Sequence, residues 1–204
     1  MTKVLLVHAV SLWRASLVSL LGKDDGLHVR AEEPAGVATA LEESAQDILV
    51  TDLDCPDSRE VLRVVETLRA PSGRGGAVIT LAVLAQRNRT GDLRRAYEAG
   101  ATGYIDKCGP VDHLCEVVHK VAAGGRHIDE SLAFSLLQAT DVPLSARELR
   151  VLSLAADGES VASIARSLCL ASGTVRNYLA AAIRKTGARN RLDAIRLSRE
   201  FGWL

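Results

Sequence analysis

The stretch SGTVRNYLAAAIRKTGARNR, residues 172–191, carries the side chains whose types and spacing most directly suggest a chemistry. Val175, Leu179, Ala182 and Ile183 recur at i, i+4, i+7 and i+8, the apolar stripe of a helix. The opposite side presents Arg176, Asn177, Ala180 and Arg184. Arg and Asn can make bidentate contacts to guanine and adenine in a major groove, and the small Ala180 lets the helix approach closely. Ser172, Thr174, Lys185, Arg189 and Arg191 suit phosphates, which set register without reading sequence. A second stretch, KVLLVHAVSLW, reads as a buried strand, Val4 to Val7, running into a turn and a helix from about Ser11. The loop after such a strand is where open α/β folds place their chemistry, and here it offers His8, Ala9 and Val10 with no carboxylate. Cys55, Cys108, Cys115 and Cys169 form no C-x-x-C pair, and no histidines cluster at metal-ligand spacing, so free thiols in a reducing compartment are expected.

The elements that must position these residues fall into two styles. Before residue 125, short apolar runs at 4–7, 27–31, 47–51, 77–84 and 102–106 alternate with helical spacing such as Leu12, Leu17, Leu20 and Leu21, or Val61, Leu62, Val65 and Leu68. This alternation predicts a five-stranded parallel sheet, doubly wound in flavodoxin-like order with helices on both faces. Gly124 and Gly125 end that pattern, a short helix covers Ser131 to Ala139, and Pro143 closes a linker. Four helices follow. Ser145 and Glu148 form a capping box, with Leu144 and Leu149 at staple spacing. Ser160 caps the second helix; Ser172 caps the third, from about Gly173 to Thr186. The fourth starts after Asn190 with Asp193 in its first turn. Two short helices joined by a tight turn, the second charged on one side, make a helix-turn-helix.

Composition is that of an ordinary globular chain: 204 residues, 48% hydrophobic, 25% charged, formal net charge zero. The zero conceals an asymmetry. From Pro143 onward ten basic residues face five acidic ones, a balance of +5 against −5 for the preceding residues, so the C-terminal segment suits an anionic partner. His8 and Arg14 interrupt the apolar start, which argues against a signal peptide, and no apolar run is long enough to span a membrane. The expected location is the cytoplasm. The N-terminal half shows no Gly-rich phosphate loop and no nucleophile with a histidine partner, so an enzyme is not expected.

From LSARE at 144–148 through the A-x-x-L before the turn to the TVR of residues 174–176, the C-terminal part resembles the DNA-binding domain of the NarL/FixJ, or LuxR-type, response regulators. The resemblance implies a CheY-like receiver over residues 1–124, a linker with a short helix over 125–143, and a helix-turn-helix domain over 144–204. It also implies binding to double-stranded DNA as a homodimer, with the last helix at the dimer contact. Leu192, Ile195 and Phe201 would serve there, although packing within the chain accounts for them equally well.

Within the receiver resemblance, DILVTDLDCPD puts Asp52 at the phosphoacceptor position, GATGYIDK puts Lys107 at the family's lysine, and Tyr104 matches its switch aromatic. His8 and Ala9 stand where receivers carry the acidic pair that holds Mg²⁺, and Ala85 stands where a Ser or Thr contacts the phosphoryl group. Mg²⁺ wants hard oxygen ligands, so its binding here is expected to be weak or absent, and Asp52 is free to pair directly with Lys107. Asp54 can turn in to supply a second carboxylate, but that position ordinarily offers its backbone carbonyl. Cys55 reads as a packing substitution rather than a redox sensor. The expected function is therefore a sequence-specific transcription regulator with an atypical receiver, active without Mg²⁺-dependent phosphorylation. The alternative is a conventional two-component regulator phosphorylated on Asp52. A sensor kinase, a small ligand in the altered pocket, a partner protein, receiver dimerisation and simple abundance all stay open as its control.

Overall fold

A computed structural model describes residues 1–69, 79–139 and 142–204 of the chain. They form two compact units: Met1–Arg87 with Leu93–Leu137, and Gln138–Leu204 with Asn88–Asp92.

The first stretch of chain alternates strand and helix: β1 (Thr2–Val7), α1 (Ser11–Leu21), β2 (Leu27–Glu32), α2 (Val37–Glu43), β3 (Ile48–Asp52), α3 (Ser58–Arg69), β4 (Thr80–Ala85), α4 (Thr90–Glu98), β5 (Gly103–Asp106), α5 (His113–Ala122), β6 (His127–Ile128) and α6 (Glu130–Gln138). The described strands form one parallel sheet in the order β2-β1-β3-β4-β5-β6. The middle strands are covered on both faces, which is why they read as unbroken apolar runs: Val4, Leu5, Val7, Ile48, Leu49 and Val50 are all fully buried. Leu27, Leu114, Val117, Val118 and Val121 close one side of that core. Gly103 has to be glycine, because a Cβ there would meet the Cβ of Ala82 at 2.9 Å and Val121 at 3.0 Å where α5 packs on the sheet.

Three expectations need correction. The sheet has a sixth strand: His127 and Ile128 pair with Gly103 and Tyr104, so part of the segment read as linker belongs to the first unit. Two residues are too short for a visible alternation, so only the pairing reveals them. The fourth strand begins at Thr80, and residues 77–78 of the run assigned to it lie outside the described residues. Leu12, counted in the apolar face of the first helix, is 74% exposed, while Leu17, Leu20 and Leu21 join the core.

The second unit is helical: α7 (Ala146–Ala156), α8 (Val161–Ser167), α9 (Ser172–Thr186) and α10 (Arg191–Glu200). The capping box at α7 is complete: the Glu148 amide donates to Ser145 Oγ at 3.3 Å, and the Ser145 amide donates to Glu148 Oε2 at 2.7 Å. Ser160 caps α8 by accepting from the Ser163 amide, and Asn190 caps α10 by accepting from the Asp193 amide. Ser172 does not cap α9; it is the first helical residue, behind Ala171, which brings no side-chain acceptor. The helix ends at Gly187, whose φ of 68° is the left-handed conformation that a Cβ disfavours. Val151, Leu152, Ile164, Val175, Leu179, Ala182, Ala194 and Ile195 make the core.

Glu148 is buried, and burial pushes its carboxyl up, but hydrogen bonds from Lys185 and Ser145 outweigh this and hold its pKa below the ordinary value. A lowered folded-state pKa contributes stability above the unfolded value, and that stability is lost as the pH falls through the folded one. Glu148→Gln keeps the capping geometry and removes the charge. It should cost about 1 kcal/mol near neutral pH, read as faster amide exchange in α7 and α9, and the difference from wild type should close as the pH falls through the lowered folded-state value of Glu148.

Candidate functional site

The carboxyl ends of β1, β3, β4 and β5 converge, because parallel strands all deliver their following loops to one edge. Asp52 ends β3 and Lys107 follows β5. The Lys107 ammonium donates to Asp52 Oδ1 at 2.9 Å and Oδ2 at 3.1 Å, so the direct pairing expected from charge is present. Asp54 also turns its carboxylate inward and accepts a short hydrogen bond from Lys107 Nζ, rather than offering only its backbone. The Asp54 amide donates to Asp52 Oδ1 at 2.8 Å, which fixes the loop in that shape. Burial alone would lower the Lys107 pKa, but the bonds to Asp54 and Asp52 outweigh it and hold the ammonium above its ordinary value.

His8 is buried beside this group, with Nε2 3.7 Å from Asp52 Oδ2. Its Nδ1 accepts from the Val10 amide at 3.0 Å, so a neutral ring carries its proton on Nε2 and directs an N–H at the carboxylate. Arg14 donates to the carbonyls of His8 at 2.6 Å and Ala9 at 3.3 Å, fixing the loop from behind. The Ala9 amide donates to Cys55 Sγ, and burial pushes that thiol's pKa up, which suits packing rather than redox chemistry. Ala85 is buried at the end of β4 and brings no hydroxyl. Tyr104 points into the interior, 2% exposed, with its hydroxyl lacking a partner among the described residues.

A Mg²⁺ ion needs about six oxygen ligands in near-octahedral geometry. Here Ala9 supplies none from its side chain, His8 turns a donor toward Asp52, and an ammonium already sits on both carboxylates. These residues do not fit the Mg²⁺ site that the resemblance implies. Beside them opens a pocket of about 650 Å³, whose far wall is apolar: Trp13, Leu17 and Leu20 of α1 against Val111, just before α5, and Leu114 in its first turn.

Sequence reasoning passed over a polar group just beyond. Asp106 accepts from Ser131 Oγ at 2.5 Å, Arg87 Nε at 3.1 Å and the Cys108 amide at 2.9 Å. Its own amide donates to Asp129 Oδ2 at 2.6 Å, binding the end of β5 to the entrance of α6. Sequence spacing does not show one further contact: His113 and His127, fourteen residues apart, meet at Asp129.

In the second unit the tight turn between α8 and α9 is held by the Leu170 amide on the Ala165 carbonyl at 2.8 Å, with Cys169 at φ 53°. Val175, Leu179 and Ala182 face the core, leaving Arg176, Asn177, Ala180 and Arg184 exposed together. Ser172 and Thr174 lie half-buried at the start of the helix, and Arg189 is exposed, its Nε 3.4 Å from Asp193. Two phosphate candidates are committed elsewhere. Lys185 Nζ donates to Glu148 Oε2 at 2.8 Å, and Arg191 donates to the carbonyls of Ala155 and Glu159, both at 2.9 Å, closing the C-terminal end of α7. Of the dimer candidates, Ile195 is 8% exposed and packs in the core, whereas Leu192 is 77% exposed.

Residues 142–198 match the family described as bacterial regulatory proteins, luxR family. The response regulator RamR of Streptomyces coelicolor is 42% identical over 207 residues, covering 100% of this chain and 98% of the relative. The chain belongs to the LuxR-type response regulators. The transcriptional regulatory protein DesR of Bacillus subtilis is 33% identical, with 92% of each chain covered. Among solved structures, the response regulator ChrA of a heme-sensing two-component system matches with a TM-score of 0.54 at 29% identity, covering 97% of this chain and 96% of that one. RcsB of Salmonella enterica serovar Typhimurium, bound to a promoter, matches with a TM-score of 0.65 at 21% identity over 98% of each chain, a likeness of fold. The regulator is thus a DNA-binding protein of this family, built as a receiver-like unit followed by a helix-turn-helix unit.

Lys107→Met leaves Asp52 and Asp54 facing each other without a cation. It should cost about 2 kcal/mol in urea unfolding, and less than half of that in an Asp52→Asn/Asp54→Asn background, where the repulsion is already gone.

Proposed function

We propose that this regulator binds a two-fold related DNA site as a homodimer in the cytoplasm, and does so without Mg²⁺-dependent phosphorylation of Asp52. The observation that carries the reading is the Lys107 ammonium resting on Asp52 and Asp54 beside a loop whose His8 and Ala9 bring no carboxylate. Phosphoryl transfer relies on a metal to offset charge developing on the phosphoryl oxygens, and here the compensating cation is a side chain already bound to the acceptor. A small ligand has room in the apolar pocket that continues from Lys107. On the DNA side, Arg176, Asn177 and Arg184 read base edges while Ser172, Thr174 and Arg189 hold phosphates. The dimer arrangement has a parallel in RcsB, two dimers of which occur on two parallel DNAs. Half-sites about one helical turn apart, or a multiple of that, suit such a dimer.

One observation favours the conventional reading, in which a kinase phosphorylates Asp52: Asp54 turns inward, so two carboxylates share the pocket. Mass spectrometry after incubation with acetyl phosphate and Mg²⁺ separates the two. Wild type is expected to stay unmodified, with an Ala9→Asp variant run beside it; a phosphoryl adduct on wild type that Asp52→Ala abolishes would make the conventional reading the right one.

Gel shift with unphosphorylated protein tests the DNA side. Arg176→Ala and Arg184→Ala should each weaken specific binding by about 1–3 kcal/mol and leave stability unchanged. Arg191→Ala should instead lower stability, through loss of its two carbonyl bonds. Absence of specific binding by unphosphorylated wild type would sink the proposal.

A further inference from the structure

Three ligating atoms from three separate positions meet beside β6. His113 Nε2 lies 3.3 Å from His127 Nε2 and 3.2 Å from Asp129 Oδ1, and His127 Nε2 lies 2.7 Å from the same oxygen. The two rings meet edge to face, with centroids 5.1 Å apart. Both rings can donate to the one carboxylate oxygen, and the same convergence of two ring nitrogens and an oxygen presents three ligand atoms to a single cation. Zinc bonds to histidine nitrogen and carboxylate oxygen run about 2.0–2.2 Å, so neighbouring ligand atoms on a tetrahedron stand about 3.3 Å apart. Two of the three edges already have that length.

The surroundings orient these ligands as zinc ligands usually are. His113 turns its other nitrogen, Nδ1, toward Glu116 Oε2 at 3.4 Å, the carboxylate–histidine arrangement that sets ring orientation and tautomer. The second Asp129 oxygen is held by the Asp106 amide, leaving Oδ1 for the ion. Two imidazoles and one carboxylate make a nitrogen-rich set that favours zinc over Mg²⁺ or Ca²⁺, and three protein ligands leave a fourth position for water. His113 opens α5, His127 lies in β6, and Asp129 immediately precedes α6.

We propose that His113, His127 and Asp129 hold a zinc ion that pins β6 and the entrance of α6 to the start of α5. Any proton on the Nε2 atoms passes to solvent as the ion binds, and no redox change is involved. The ligands are distinct from the Asp52–Lys107 group, to which they connect through the Asp106 amide that holds Asp129.

The test titrates the full, metal-stripped chain with Zn²⁺ against a chromogenic chelator and repeats the titration for His113→Gln and His127→Gln. One zinc per chain is expected, weakened at least about tenfold in each variant, and Co²⁺ in its place should give the intense visible bands of a tetrahedral site. Glu116→Gln, on an exposed side chain, keeps the test valid should a ligand variant fail to fold; it should weaken zinc several-fold with folding intact. No stoichiometric zinc on wild type would overturn the proposal. So would affinity unchanged in the histidine variants, which would place the metal away from these three residues.

Discussion

The first unit is organised at its functional edge around one ammonium. Lys107 reaches across from the end of β5 to two carboxylates, Asp52 at the end of β3 and Asp54 in the loop after it, and that contact decides the charge of the pocket. Two like charges confined in a half-buried loop repel strongly unless a cation stands between them. A dication usually takes that place in phosphoryl-transfer sites. Here a lysine does, and a histidine N–H and an arginine-braced loop fill the positions where further carboxylates would be needed. An ammonium is monovalent and tethered, and here it donates to the two acids it touches.

The second unit applies the same economy to a different end. Glu148 closes the first turn of α7 and simultaneously receives Lys185 from α9, while Arg191 at the start of α10 seals the other end of α7. Two of the basic residues that make this segment positive thereby become struts. The basic residues left exposed along α9, Arg176 and Arg184, share a face with Asn177 and the small Ala180, which is the arrangement a groove-reading helix needs. Core-facing and exposed residues are thus separated by position within a single helix.

Local pattern alone determined much of this protein. Runs of apolar residues set the parallel strands, because a strand buried on both faces must be apolar throughout, and Ser145 with Glu148 announced a capping box that involves only residues three apart. The receiver resemblance, rather than local pattern, placed Asp52 and Lys107, and the missing carboxylates at residues 8 and 9 left them free to pair. What only the tertiary structure decided were the directions taken by side chains whose partners lie far along the chain. Lys107 meets Asp54 across 53 residues, Lys185 meets Glu148 across 37, and His113 meets His127 and Asp129 only because β6 adds to the sheet after α5 turns back. Periodicity reports which face of an element is apolar; it carries no information on which charged or ring side chain will be brought within 3 Å of another, since that depends on how separate elements pack.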